Sequence, residues 1–306
     1  MWRLFVTLWM LTLPVLASAA APVASVTILD GDAPLVVRDA AKLTLAEGVR
    51  LLPDDIVESG DKTRLLRIEF SDGAILDIGP ATRLLLSPRL TGERGKRPAK
   101  VYMLQGMAKL TTPKGGPAGT ATLTSPAYDV SGVTRDVVLL VQGDESYAFA
   151  ESGEVTLVER NAGKEVGNHR LKSGDFYARS GDNRAAITNR PAAAFIQRLP
   201  RAFLDTLPSR AELFKTREVE PKPAGSIVYA DVQAWIDAEA ALRMGFVTRW
   251  KAQARNPDFR KGLVAQVAAH PEWDRTLFPE KYLPKPPASG PGAAGFVLPG
   301  PSKPYR

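Results

Sequence analysis

The 306-residue chain contains no cysteine. That excludes disulfides, thiolate metal sites, cysteine nucleophiles and a lipid-accepting cysteine behind an export signal. Stability must then come from a packed core. Histidine is nearly as scarce, with only His169 and His270, which fall in different predicted regions. A histidine-built metal centre needs several ligands at close spacing, and none of the usual spacings occurs. Also missing are a Gly-x-Ser-x-Gly elbow, a His-Glu-x-x-His pair, a phosphate-binding Walker loop and a dinucleotide fingerprint. No enzyme activity and no cofactor is expected from such a sequence.

Long apolar runs are absent after the first twenty residues. The chain opens with Met1, Trp2 and Arg3, continues with an apolar stretch over 4–16 and closes it with Ala17, Ser18 and Ala19. The stretch is shorter than the ~20 residues that span a bilayer, and small residues precede the expected cleavage point, so 1–19 reads as a signal peptide. Pro14 fits, because a helix breaker there keeps the cleavage segment extended. The mature chain is thus expected in the periplasm, with no stable membrane insertion after cleavage.

Charge narrows the choice of partner. Forty Lys and Arg against 33 Asp and Glu give a net charge of +7. A basic exported surface favours an acidic envelope protein or an anionic envelope polymer, and export removes nucleic acid from reach.

What the sequence does have is a succession of short alternating apolar runs with glycines between them. Residues 65–70 and 74–78 flank Ser71-Asp72-Gly73, as the two arms of a hairpin should. Further strands are expected at 26–29, 35–37, 83–86, 100–104, 106–111, 121–124, 128–130, 137–142, 146–150, 154–159 and 175–179. Glycines recur from Gly31 to Gly174 at roughly the 8–12 residue spacing of sandwiches, barrels or stacked coils. The fold class is mainly β over 25–188, a sandwich or a stacked β-coil, because period-two alternation is common to both. The basic stretch 91–100 and residues 113–119 read as surface loops.

After Asn189 the period changes. Apolar residues from Ala192 to Leu207 recur at spacings of three and four, predicting a helical extension over 189–215 that Pro200 splits. Residues 216–225 carry Glu, Lys and two prolines without periodicity and read as a linker. Residues 226–283 read as a small helical domain: Asp231 offers a cap, and Asn256-Pro257 and His270-Pro271 each look like a cap followed by proline at the first helical position. The Pro/Gly-rich segment 284–306 is expected to be disordered.

The β region resembles the FecR family. Gly48 followed by Leu-Leu-Pro-Asp-Asp-Ile-Val-Glu-Ser-Gly over 51–60 is similar to the family's leucine, aspartate loop, hydrophobic pair and glycine. Arg-Ile-Glu-Phe-Ser-Asp-Gly-Ala-Ile-Leu-Asp-Ile over 67–78 resembles its strand, Asp-Gly turn and strand. Leu104-Gln105-Gly106, Thr124-Ser125-Pro126-Ala127, 130–134 and Glu151-Ser152-Gly153-Glu154-Val155 follow the order of its later strands. Where the family has Gly-Thr-x-Phe, this chain has Gly132-Val133-Thr134-Arg135. The resemblance covers about residues 25–180 and implies a periplasmic interaction domain. The sigma-holding segment and membrane helix of the family's regulators have no counterpart here.

Candidate chemistry is sparse. Asp54-Asp55, Asp72 and Asp175 are the carboxylates a glycoside hydrolase would need, but each sits beside glycine or proline in an expected turn. Asp30-Gly31-Asp32 lacks the ligand run and the bidentate glutamate of a calcium loop. Arg94, Lys96, Arg97 and Lys100 form a basic stretch, and Trp235, Trp250 and Trp273 sit in a helical region dense in aromatics. Together these seven are the candidate binding surface, although the tryptophans also suit the core of a small unit. The expected function is a non-enzymatic envelope scaffold or sensor-like module. The rivals are a peptidoglycan or polysaccharide hydrolase and an accessory of a secretion or surface-assembly system.

Overall fold

The computed structural model describes residues 20–96, 98–114 and 121–283. The expected signal peptide, Arg97, most of the 113–119 loop and the 284–306 segment lie outside them. The architecture is mainly β: eighteen strands in one curled sheet that folds over on itself, followed by short helices.

The first layer runs in the order β4 (Arg50–Leu51), β1 (Ala24–Asp30), β6 (Leu65–Phe70), β7 (Ile75–Ile78), β9 (Val101–Thr111), β12 (Asp136–Gln142), β13 (Glu145–Ser152), β16 (Phe176–Ser180) and β17 (Ala186–Thr188). The second begins at β18 (Lys222–Ser226) and continues through β3 (Ala41–Thr44), β2 (Leu35–Arg38), β5 (Ile56–Glu58) and β8 (Arg83–Leu86) to β9 again. Beyond β9 it adds β10 (Leu123–Thr124), β11 (Tyr128–Ser131), β14 (Glu154–Asn161) and β15 (Lys164–Lys172). Among the described strands only β9 and β10 pair in parallel.

The two runs expected at 100–104 and 106–111 are therefore one strand, whose halves serve different layers. The crossing point is Gly106, with φ +111°. A Cβ there would come within 2.4 Å of Thr82 Cα, so no other residue fits. The Thr82 hydroxyl accepts the Met107 amide proton at 3.0 Å, supplying a ladder partner where the strand bends.

Alternation then builds the core. Leu66, Ile68 and Phe70 of β6, Leu84 and Leu86 of β8, and Val137, Leu139 and Val141 of β12 all point between the layers into one apolar cluster. The outward residues of each layer are covered separately. On the first layer, α1 (Ala193–Arg198) and the 3₁₀ turn Arg201–Phe203 lay Phe195 and Phe203 against Leu65, Val138, Leu140 and Phe176. Pro200 does split this extension. On the second, Trp235, Phe246 and Trp250 pack on Val37, Ile56, Leu85 and Tyr102.

Residues 216–225 are not a linker. Lys222–Ser226 pairs antiparallel with β3 as an edge strand, and Val49 bridges to Val219. Pro223 and Gly225 suited a linker by composition, but an edge strand tolerates both because its outer face donates to no neighbour. The helices are likewise no free-standing domain: α2 (Tyr229–Ile236), α3 (Ala240–Trp250), α4 (Pro257–Ala265) and α5 (Asp274–Leu277) share their core with the second layer.

Candidate functional site

Of the seven expected surface residues, Arg97 lies outside the described residues, and of the other six the structure leaves Lys96 exposed and Lys100 half-buried, both ion-paired. The three tryptophans are core, each at most 1 % exposed. Trp235 Nε1 donates to Glu58 at 2.9 Å and Trp250 Nε1 to the Asp39 carbonyl at 2.9 Å, so their polar edges are used inward. Arg94 is also buried, at the seam between the second layer and α3. Its guanidinium meets Asp129, Glu239 and Thr124, and donates to the Ser125 carbonyl at 3.0 Å. Arg160 holds the other oxygen of Asp129, and Tyr102 donates to Glu239 at 2.8 Å. Burial works against the Arg94 charge, yet Glu239 and Asp129 hold its pKa above the ordinary value. This is a structural clamp, not a solvated loop. Lys96 is exposed and paired with Glu93; Lys100 meets Asp72 and lies over the Phe70 ring.

The expected carboxylates are held as turn and ion-pair groups. Asp55 is buried and takes the Arg38 fork at 2.7 and 2.9 Å with the Leu52 amide at 2.8 Å. Asp72 accepts the Ala74 amide, and Asp175 the Lys172 amide at 2.8 Å. Burial opposes the Asp72 charge, but Lys100 and the turn amide bring its pKa below the ordinary value. Among the described residues no three His, Asp or Glu side chains converge as metal ligands would. His270 does not cap its helix turn; its ring sits 2.7 Å from Asp237 and 3.1 Å from Arg243, because the Pro271 turn presents the imidazole to α3 instead. Asn256 is a true cap, accepting the Asp258 and Phe259 amides, and Asp231 caps from inside the helix by accepting the Val228 amide.

A large concavity lies on the outer face of the helical unit. α3 commits Leu242, Phe246 and Trp250, four residues apart, to the sheet. Met244, Val247 and Lys251 are left on its far side, where α4, α5 and the 3₁₀ turn Pro279–Tyr282 wall off a cavity of about 960 Å³. Lys251, Arg255 and Arg275 line it and form no ion pair among the described residues. Arg260 is committed to the Leu277 carbonyl and the Phe278 ring, and Glu272 to Arg243 at 3.0 Å. Exposed apolar side chains share the rim: Met244 at 55 %, Tyr282 at 53 % and Leu283 at 68 %. The arrangement can hold an anionic group against apolar surface. Sequence reasoning passed over these cations; the available signal was Lys251 and Arg255, four apart and out of phase with the tryptophan face.

No family model matches the chain, and no curated protein matches it. Two crystal structures of a "putative anti-sigma factor" from Parabacteroides distasonis are similar. One, at TM-score 0.36 and 12 % identity, aligns over 46 % of this chain and 62 % of its own. The other, at 0.35 and 13 %, aligns over 47 % and 65 %. The chain spans less than two thirds of either structure.

Proposed function

We propose that this chain is a FecR-like, exported, non-catalytic binding module of the bacterial envelope that holds an anionic partner in the groove of its helical unit. The observation that carries the reading is the trio Lys251, Arg255 and Arg275, which form no ion pair among the described residues and outnumber Glu280, the unpaired carboxylate on the same wall, around a cavity rimmed by exposed Met244 and Leu283. Such a site draws acidic groups by field and retains them by apolar contact. The FecR-like motif order supports the family. The stretch 51–60 contains β5, the stretch 67–78 forms the β6–β7 hairpin, and 151–155 forms the β13–β14 turn. A sensor-like role is supported by the clamp of Arg94 on Glu239, which ties the start of α3 to the β layers.

The test uses residues 20–306 as bait for envelope extract, with peptidoglycan sacculi cosedimented in parallel at low and high salt. Retention of an acidic protein or of sacculi, abolished in the Lys251→Glu/Arg255→Glu/Arg275→Glu variant, is expected. Retention unchanged in that variant removes the groove reading. Release of soluble fragments from sacculi replaces the binding module with a hydrolase.

A further inference from the structure

The two walls of the cationic groove are joined at His270. Arg243 of α3 reaches its ring and the Ala269 carbonyl, and the Pro271–Trp273 turn that follows it leads into α5. His270 is 6 % exposed. Among the described residues three charged side chains face the ring: Asp237 just past α2, Arg243 of α3 and Glu272 of the turn. The end of α4 approaches with backbone, the Gln266 carbonyl accepting from the His270 amide at 3.2 Å. Close to Asp237 stands the Tyr229 phenol, whose pKa burial, and then that carboxylate, raise, so it stays a neutral hydroxyl.

Which ring nitrogen carries the proton follows from the partners. A guanidinium only donates. Arg243 Nη1, 3.1 Å from Nδ1, therefore makes that nitrogen an acceptor, and the proton sits on Nε2, which donates to Asp237 at 2.7 Å. The ring is neutral in this arrangement. A second arrangement is already built beside it. Glu272 Oε1 is buried 3.0 Å from Arg243 Nε, yet the two are misaligned and neither makes a hydrogen bond among the described residues. The same oxygen lies 3.9 Å from His270 Nδ1. A protonated Nδ1 would aim its new N–H at the Arg243 donor and so needs an acceptor. Glu272 Oε1 is the one within reach.

The proton changes what the groove offers an anion. With a neutral ring this corner holds two carboxylates, Asp237 and Glu272, against one guanidinium, Arg243; an imidazolium balances them. Glu272 itself lines the groove, Arg275 follows on α5, and Arg243 directly precedes the rim residue Met244. A charge gained within a Debye length of a bound anion, about 10 Å at 0.1 M salt, acts on it. Imidazole is the side chain that changes charge between about pH 5 and 8. We infer that His270 is a proton sensor of the groove: as pH falls, its imidazolium turns from Arg243 to Glu272, and the groove takes an anionic, partly apolar ligand more tightly. The inference rests on the groove reading above and adds the condition that regulates it.

The probe is anilinonaphthalene sulfonate, whose sulfonate stays charged across this range and whose rings suit the apolar rim. Its fluorescence is titrated with residues 20–306 at pH 8 and pH 5.5 in low salt. The parent is expected to bind about threefold tighter or more at pH 5.5, His270→Gln equally at both, and the Lys251→Glu/Arg255→Glu/Arg275→Glu variant poorly at both. In parallel, nitrogen NMR follows the imidazoles of the otherwise unchanged chain, with His169→Gln removing the other signal. His270 should pass from the Nε2–H tautomer to the imidazolium between those pH values. That readout leaves His270 in place, so it stands even if His270→Gln lowers the melting temperature. The inference is overturned if His270 stays neutral at pH 5.5, if the parent's affinity is the same at both pH values, or if the response persists in His270→Gln. Dye binding that the triple variant loses keeps the groove in each of those cases. Dye binding equal in parent and triple variant removes the groove, and this inference with it.

Discussion

The two layers of the sandwich are covered from outside in opposite chemical ways. On the second layer the outward positions Val37, Ile56, Leu85 and Tyr102 are largely apolar, and the helical unit meets them with indole rings. On the first, outward positions include Arg67, Glu69, Asp77 and Lys109, all at most 9 % exposed, beneath a mostly non-helical strap. There the strap's backbone completes the charges. Arg67 donates to the Leu207 and Pro208 carbonyls at 3.0 and 3.1 Å, Lys109 to the Phe203 carbonyl at 2.7 Å, and Glu69 accepts the Arg210 amide at 2.8 Å. A segment without helical hydrogen bonds carries free backbone groups, and a polar sheet face is what can absorb them. A helical segment has few such groups and needs an apolar face instead.

Breaking the apolar cover should cost most. Trp250→Ala removes a fully buried ring stacked on Phe246 at 4.8 Å, and a loss of about 3–5 kcal/mol is expected from denaturant midpoints. Hydrogen exchange should quicken in α3 and α4 before it does in the β layers. On the polar side, Asp77→Ala leaves Arg67 buried without its partner, at a cost of about 3 kcal/mol. The double change Arg67→Met/Asp77→Leu should restore most of the stability yet expose the strap to proteolysis near Leu207, because its carbonyls lose their donor. Equal protease resistance in the double variant would show that Phe195, Phe203 and the Lys109 and Glu69 contacts hold the strap without Arg67.

Much of this contrast was legible in the sequence, though not all. The β6–β7 hairpin announced itself through Ser71-Asp72-Gly73 between clean alternating runs, and the inward faces of β12 and β14 follow from the same period. The missed strands had no such signal. β4 and β5 span two and three residues, and β15 is a solvent-facing edge that reads Lys-Glu-Val-Gly-Asn-His-Arg-Leu-Lys. Arg94 looked like part of a solvated basic loop because its carboxylate partners lie 35 and 145 residues away. The tryptophans offered their core role through composition, but nothing local told which surface they would cover.

The smallest effect expected is one of pH. Burial first, with Asp231 adding, raises Glu58 above its ordinary 4.5 despite the Trp235 indole and Arg83. A carboxyl with a raised folded-state pKa contributes stability fully present below its unfolded value and lost as pH rises through the folded one. Glu58→Gln keeps an acceptor for the indole and removes that loss. The variant's melting temperature should match the parent's near pH 4 and exceed it by a degree or two at pH 7.5. A gap that is the same at both pH values would mean that the carboxylate is solvated after all.

The bend at Gly106 makes one backbone segment a member of both layers. Neither layer can close until β9 has met β7 and β8 on one side and β12 and β10 on the other, so the ordering entropy of both falls due at one barrier. The β layers should therefore fold slowly and as a single cooperative unit, with no half-formed sandwich accumulating on the way. Pulled from its ends, the molecule should release its helices and strap first and then yield both layers in one step.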